Sequence, residues 1–402
     1  MTAPLNILQR YMLKHQLADP ASCMYSIPAR LRLAPDIDPV RFAAAWNRVT
    51  ASFEILRARL AEDGRGGFFG RDTRALPPPV GVLEVSDGEF RRMRDRVEPF
   101  DLFREPMVRA VVCRTPSLGN WIVFDFHHLA FDGFAILAFN RRVERAYEDP
   151  AAPIPSDGAF RRLRELDEEA RSERFRRAER YWEETYGGTA WATCPKPDLD
   201  GADVTAQGEL FFQLPVSVDG LWRICREKSL LPNQLVQAAV LKAIAEDNSR
   251  RHTLVGWTCH GRSVADRETG LPLMKDLVLG MDAELEDDEF LHELRRRHDE
   301  ALRASVCPWA VTESCPLPDL IVDILYQGDL RSGVGHSRRL YVADPDERDG
   351  FGVGSQNVLD VEVFEDGNGL SAYFDYAAGR YSPARITSFR DRFLRTFGEL
   401  LR

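Results

Sequence analysis

The chain has no Cys-x-x-Cys pair, no uninterrupted apolar run of about 18 residues and no surplus of positive charge, and each absence removes a class of function. Its formal net charge of -10 repels phosphate backbones, and no zinc-finger spacing or basic aromatic repeat offsets that repulsion. Nucleic acid is therefore not an expected partner. The cysteines, Cys23, Cys113, Cys194, Cys225, Cys259, Cys307 and Cys315, are scattered and odd in number. Reduced buried thiols in a cytoplasmic protein are the simplest reading of that pattern. Residues 1–10 show no basic stretch leading into an apolar one, so neither classical secretion nor a membrane span is expected. His292 and His298 are too widely spaced for a zinc-binding pair on one helical face, and no Gly-x-Ser-x-Gly elbow is present. Gly350, Gly352 and Gly354 precede a strand pattern rather than a helix, which argues against a nucleotide loop.

What is present is core material. With 44% of its 402 residues hydrophobic, the chain exceeds what one core usually serves, so two lobes of roughly 200 residues are expected. Residues 5–17 and 39–60 have helical periodicity; in the second, Phe42, Trp46, Val49, Phe53 and Leu56 form an inward stripe. Strand-like runs at 107–113 and 121–126 flank a turn-rich segment and read as a hairpin. A helix is expected from Gly133 to about Tyr147, stopped by the prolines of 150–155, and a long charged amphipathic helix over 160–186. Linker-like composition at 187–208 places the boundary between an N-terminal lobe, 1–187, and a C-terminal lobe, 188–402. Beyond it come strands at 209–214 and 253–258, a helix at 232–246, a strand pair at 358–364 and 370–376 joined through 366–369, and a closing helix at 383–401. This mixed alternation argues for an α/β fold.

The chemistry concentrates in His127-His128-Leu129-Ala130-Phe131-Asp132-Gly133. The run follows a nearly all-apolar strand and opens a helix, so alternation turns the two imidazoles to opposite sides and only one can face a given cavity. Gly133 lets the chain turn without a Cβ, and the N–H groups of the new helix can stabilise negative charge on a substrate oxygen. By spacing alone, Asp132 is equally a helix N-cap, and both histidines are equally core or loop residues.

The complete His-His-x-x-x-Asp-Gly run resembles the signature of the condensation domains of nonribosomal peptide synthetases. The likeness extends along the chain. Glu54-Ile55-Leu56-Arg57 is similar to the family's second motif, Arg-His-Glu-x-Leu-Arg-Thr, with Phe53 for the histidine and Ala58 for the threonine. Ser172-Glu173-Arg174-Phe175 with Tyr181-Trp182 resembles the segment closing the first lobe, and Leu370-Ser371-Ala372-Tyr373-Phe374-Asp375-Tyr376 the family's ending. The first motif is matched only at Gln9, and residues 276–285 lack the usual Phe-x-Asn-Thr.

The resemblance implies two chloramphenicol-acetyltransferase-like lobes in a V-shaped arrangement, each a mixed sheet packed with helices. It also implies a tunnel in which His128 acts on a carrier-bound thioester and an amine, or less readily a hydroxyl, acceptor. His128 and Gly133 are the expected catalytic residues, with His127, Asp132 and Arg57 supporting them. Asp132 is expected to turn away from the tunnel and pair with Arg57, since a buried carboxylate without a counter-charge costs several kcal/mol. No cofactor or metal is expected on the chain itself; substrates are expected on the phosphopantetheine of a peptidyl or acyl carrier protein, with a free small molecule as the other possible acceptor. Two other readings stay open. Thr258-Cys259-His260-Gly261-Arg262 is close to the Glu-Gly-His-Gly-Arg run of epimerising relatives, with Thr258 in place of the acid. A recruitment module of the same fold keeps carrier docking without chemistry. The arginines of 91–96 and 171–180 are either solvated helix faces or a surface for acidic carriers.

Overall fold

The computed structural model describes residues 1–64, 67–73, 75–201, 206–308, 320–323, 339–342, 357–366 and 369–402. Cys315, the glycines of 350–354 and the centre of the turn expected at 366–369 lie outside them. The chain forms two compact units. One comprises Met1–Ala170, His260–Met274 and Ser332–Val353, the other Arg171–Cys259, Lys275–Arg331 and Gly354–Arg402. The first division thus falls ahead of the expected 187/188 boundary, and each unit gathers three separate pieces of chain. The reason lies in the charged segment read as one long helix. It is two helices, Ala159–Glu169 and Glu173–Tyr186, and Ser172 caps the second by accepting from the Phe175 N–H at 3.1 Å.

In the first unit a five-stranded mixed sheet runs in the order Tyr341–Val342, Ser26–Leu33, Gly119–His127, Val108–Thr115, Val82–Glu84. The expected hairpin is its centre, and pairing with Ser26 ends the Gly119–His127 strand at His127. Helices Pro39–Ser52 and Gly133–Glu148 pack together over one face. Trp46, fully buried, meets Phe139 at 4.7 Å and Phe124 at 5.2 Å between ring centroids. The expected helix over 39–60 stops early. Ser52 turns its hydroxyl onto the Val49 carbonyl at 2.7 Å, Phe53 leaves helical geometry, and a single tight turn, Glu54–Arg57, leads into the Ala58–Glu62 strand. That strand belongs to a second, three-stranded sheet ordered Thr2–Pro4, Phe68–Asp72, Ala58–Glu62.

The second unit holds a six-stranded mixed sheet in the order Lys275–Asp282, His252–Cys259, Leu320–Asp323, Leu359–Asp366, Gly369–Ala377, Gln207–Gln213. Helix Pro232–Asn248 is buried on nearly every side, as its apolar composition requires. The closing helix, Pro383–Leu400, packs Phe389 and Phe393 against Phe374, and its Arg385 and Arg392 both bind the little-exposed carboxylate of Asp247. A short helix, Val218–Glu227, was not anticipated from periodicity. Among the described residues no helix is long and apolar enough to cross a membrane.

His298, on helix Asp287–Ala304, is buried in this unit, stacked on Trp257 at 4.2 Å with Asn233 Nδ2 3.4 Å from its Nε2. Burial pushes it down to about 4 from an ordinary 6.5. Between those values the unfolded chain takes a proton that the folded one refuses, so stability drops as pH falls through the window. Urea titrations are expected to show wild type losing up to about 3 kcal/mol more than His298→Phe across it. Parallel losses in the two proteins would show that His298 does not carry this dependence.

Candidate active site

The motif loop is fixed by its backbone. His128 donates its N–H to the Tyr25 carbonyl at 2.8 Å, and the next residue, Leu129, is held at both ends of its backbone. The Leu129 N–H donates to His127 Nδ1 at 3.0 Å, and its carbonyl accepts from Gln9 Nε2 at 2.7 Å. His127 is buried between Tyr25 and Phe100, with Nε2 facing Gln16 Oε1 at 3.4 Å. Burial, reinforced by His128 and Arg109, pushes it down to about 3, so it is a neutral ring. His128 is only partly exposed. Burial lowers its basicity too, while the Asp132 charge and a hydrogen bond to the Phe131 backbone oppose the shift. Its ring is thus neutral near pH 7 and able to take a proton.

Asp132, 1% exposed, carries four hydrogen bonds. One oxygen caps the helix by accepting from the Ala135 N–H at 2.8 Å and also accepts from Arg262 at 2.6 Å. The other accepts from the Leu273 and Met274 N–H groups at 2.8 and 3.1 Å. The expected Asp132–Arg57 pair is therefore corrected: Arg262 is the counter-charge. Arg57 sits where the tight turn enters the small sheet, and strand register places Ala58 opposite Asp72. Its guanidinium meets Asp72 at 3.4 Å and the Ala51 carbonyl at 2.5 Å, well accounted for without Asp132.

Arg262 belongs to the His260-Gly261-Arg262 triplet that resembled an epimerase motif. Its two terminal nitrogens also reach the carbonyls of Asp266, Thr269 and Leu271 at 2.6 to 3.0 Å. Gly261 holds φ +59, a conformation that favours glycine, and the exposed His260 accepts the Arg262 N–H on Nδ1 at 2.9 Å. Farther along the same segment, Asp266 binds Arg162 at 2.7 Å and Glu268 binds Arg142 at 3.1 Å. Gly270 donates to Asp157 at 2.8 Å. Asp157 also accepts the Glu54 N–H at 2.9 Å; burial pushes it up to about 6 although these N–H groups oppose the shift. Asn6 completes the series on the Pro272 carbonyl at 3.0 Å.

Gly133 is the first residue of helix Gly133–Glu148, exposed and outside the left-handed region. The backbone conformation there does not call for glycine. Neither Gln16 nor Arg262 is marked as a site residue by the sequence pattern, and Gln9 is marked only as a motif match.

A family model for the condensation domain matches residues 1–304, more than half of the chain. The chain belongs to the condensation domain family. Bacitracin synthase 3 of Bacillus licheniformis is 32% identical over 144 residues, 33% of this chain and 2% of that protein. Surfactin synthase subunit 1 of Bacillus subtilis (strain 168) is 23% identical over 273 residues, 66% of this chain and 8% of that one. The chain therefore spans a small part of the length of these relatives. Among solved structures, the condensation domain of the monacolin K polyketide synthase MokA aligns with a TM-score of 0.82, covering 100% of this chain and 97% of that one at 14% identity. The first condensation domain of the CDA synthetase gives 0.77, with 100% and 96% covered at 18% identity. The X-domain, solved in complex with OxyB from teicoplanin biosynthesis, gives 0.79, with 99% and 93% covered at 17% identity. At these identities the likeness establishes the fold, which agrees with the α/β, mixed-sheet expectation for each part of the condensation domain.

Removing Arg262 strands a buried carboxylate, whereas removing Arg57 breaks a partly exposed pair. Arg262→Ala is expected to cost about 3 to 5 kcal/mol in denaturant titrations, and Arg57→Ala about 1 kcal/mol or less. Equal losses would reject the assignment of Arg262 as the partner of Asp132.

Proposed function

We propose that the chain is an acyltransferase that joins a carrier-bound acyl thioester to an amine acceptor, with His128 acting on the attacking nitrogen. The observation that carries this reading is the contrast between the two adjacent histidines. His127 is fully occupied as a backbone clamp, while His128 has a fixed main chain, a neutral ring and partial exposure.

As the amine attacks the thioester carbonyl, its nitrogen loses a proton and negative charge gathers on the carbonyl oxygen. A neutral imidazole at His128 can take that proton or hold the amine for attack. The N–H of the exposed Gly133, at the positive end of a 16-residue helix, is suited to the oxyanion. Collapse of the tetrahedral adduct then expels the phosphopantetheine thiol of the carrier, with the imidazolium as proton source. No covalent enzyme intermediate is needed. Asp132, bound by Arg262 and three backbone N–H groups, has no role as a proton carrier in this scheme.

The epimerisation reading loses ground because Arg262 is committed to Asp132 and the motif's acid is Thr258, whose hydroxyl meets Asp276 at 3.2 Å. The recruitment reading draws support from one neighbour of this fold, the X-domain, solved bound to OxyB. Intact-mass analysis separates it from transfer. The chain is incubated with an acyl-loaded carrier protein and a panel of amines, carrier-bound and free. Wild type is expected to discharge the acyl group onto an amine, and His128→Ala to do so about 10² to 10⁴ times more slowly. Equal product from wild type and variant would refute the catalytic role, and stable carrier binding without turnover would favour recruitment.

A further inference from the structure

Helix Ile7–Ala18 presents two buried glutamines, Gln9 and Gln16, at either end of its inward stripe. Both reach the motif loop. Gln9 holds the Leu129 carbonyl directly, while its Oε1 accepts the Asn6 N–H at 2.9 Å. Gln16 acts one step removed. Its Nε2 donates to the carbonyls of Ser22 and Asp19 at 3.0 and 3.3 Å, which leaves Oε1 as the atom facing His127 Nε2. An acceptor there requires the His127 proton on Nε2. Nδ1 is then bare and can accept the Leu129 N–H, as observed.

The geometry points to Gln16 as a positioning residue for the reaction: it selects the His127 tautomer that clamps Leu129, and the clamp sets the peptide carrying His128. The inference rests on the reading of His128 as the acting group, but its structural half stands apart from that reading. Among the described residues, the contacts of the His127 ring include no competing partner that would reverse the tautomer. Tyr25 and Phe100 offer ring faces and edges, and the charged or titratable neighbours are Arg109, on the adjoining strand, and His128. Both disfavour a second proton on the ring. A carboxylate in place of the Gln16 amide would favour one, placing a hydrogen on Nδ1 where the Leu129 N–H must bind.

The decisive comparison is between Gln16→Leu and Gln16→Glu, with thermal melts run on each. Gln16→Leu is expected to lower kcat about 10- to 100-fold at every pH with KM little changed, because the ring is free to switch tautomer and the loop loses its register. Gln16→Glu is expected to approach wild-type kcat at high pH, where the carboxylate accepts the Nε2 proton. As pH falls through the pKa of His127, which the carboxylate raises, its activity should drop on an additional acid limb, at higher pH than the one that protonation of His128 gives wild type. A role confined to stability would lower the melting temperature of both without creating that limb. Wild-type kcat in Gln16→Leu, or a wild-type pH profile in Gln16→Glu, overturns the inference. Nitrogen NMR of histidine-labelled wild type tests it without turnover, and decides the matter if either variant fails to fold. Nδ1 of His127 is expected bare and Nε2 protonated throughout the neutral range, and the reverse assignment refutes the proposal. If wild type transfers no acyl group while the NMR result holds, the functional reading fails and the tautomer assignment survives.

Discussion

The carboxylate of Asp132 lies almost wholly out of water and survives there because four donors converge on it from two stretches of chain far apart in sequence. Removing an ionised group from water costs several kcal/mol, which only close, well-directed donors recover. The arrangement therefore ties together three things that the sequence keeps separate. The opening of helix Gly133–Glu148, the motif loop behind it and the segment His260–Met274 must all be in place for any one of them to be stable. The rest of that segment is fastened in the same manner, through Asp266, Glu268, Gly270 and Pro272, each on a different partner of the first unit. Leu271 and Leu273, both buried in the first unit's hydrophobic core, add apolar anchors to these polar ones.

Around this clamp the motif divides its labour by direction. The strand ends at His127, the ring of which points inward and becomes a hydrogen-bond acceptor for the loop's own backbone. His128 is left with a fixed main chain and a ring that, bonded to the Phe131 backbone, stays partly exposed. A loop with its N–H and carbonyl groups already paired has little freedom to relax when a substrate arrives, which is the condition for holding a base within the narrow geometry that catalysis requires.

Much of this was legible in the chain. The apolar stripe of Phe42, Trp46 and Val49, the hairpin ending at the two histidines and the helix opening at Gly133 all follow from local periodicity, and local periodicity is what these elements obey. Asp132 as an N-cap was likewise readable from its place before the helix. The partner of Asp132 was not. Arg57 stood within a familiar motif, whereas Arg262 lies 130 residues away in a loop whose course depends on the fold as a whole. No spacing rule connects the two. The same holds for Gln16, since a polar residue on an amphipathic helix reads as solvated until a buried histidine is found against it. The break within the charged segment was signalled by Ser172, but helical periodicity on either side obscured it.

Departures from a family's motif need not be losses of chemistry. Phe53 stands where the second motif carries a histidine, and the ring is fully buried against Phe131 and Phe139 with the Arg142 guanidinium over its face at 4.8 Å. The space is shared with Gly270, where an added Cβ would lie 2.3 Å from the Phe53 ring and 2.7 Å from that of Phe131. Glycine at 270 is thus the complement of an aromatic at 53, and the N–H of that same glycine is bonded to Asp157. The substitution has been absorbed by packing between the tight turn and the segment that delivers Arg262. It changes how the scaffold beneath the histidine motif is filled, Phe131 of the motif included, while the hydrogen bonds that hold the backbone of His128 and Leu129 come from Tyr25, Gln9 and His127.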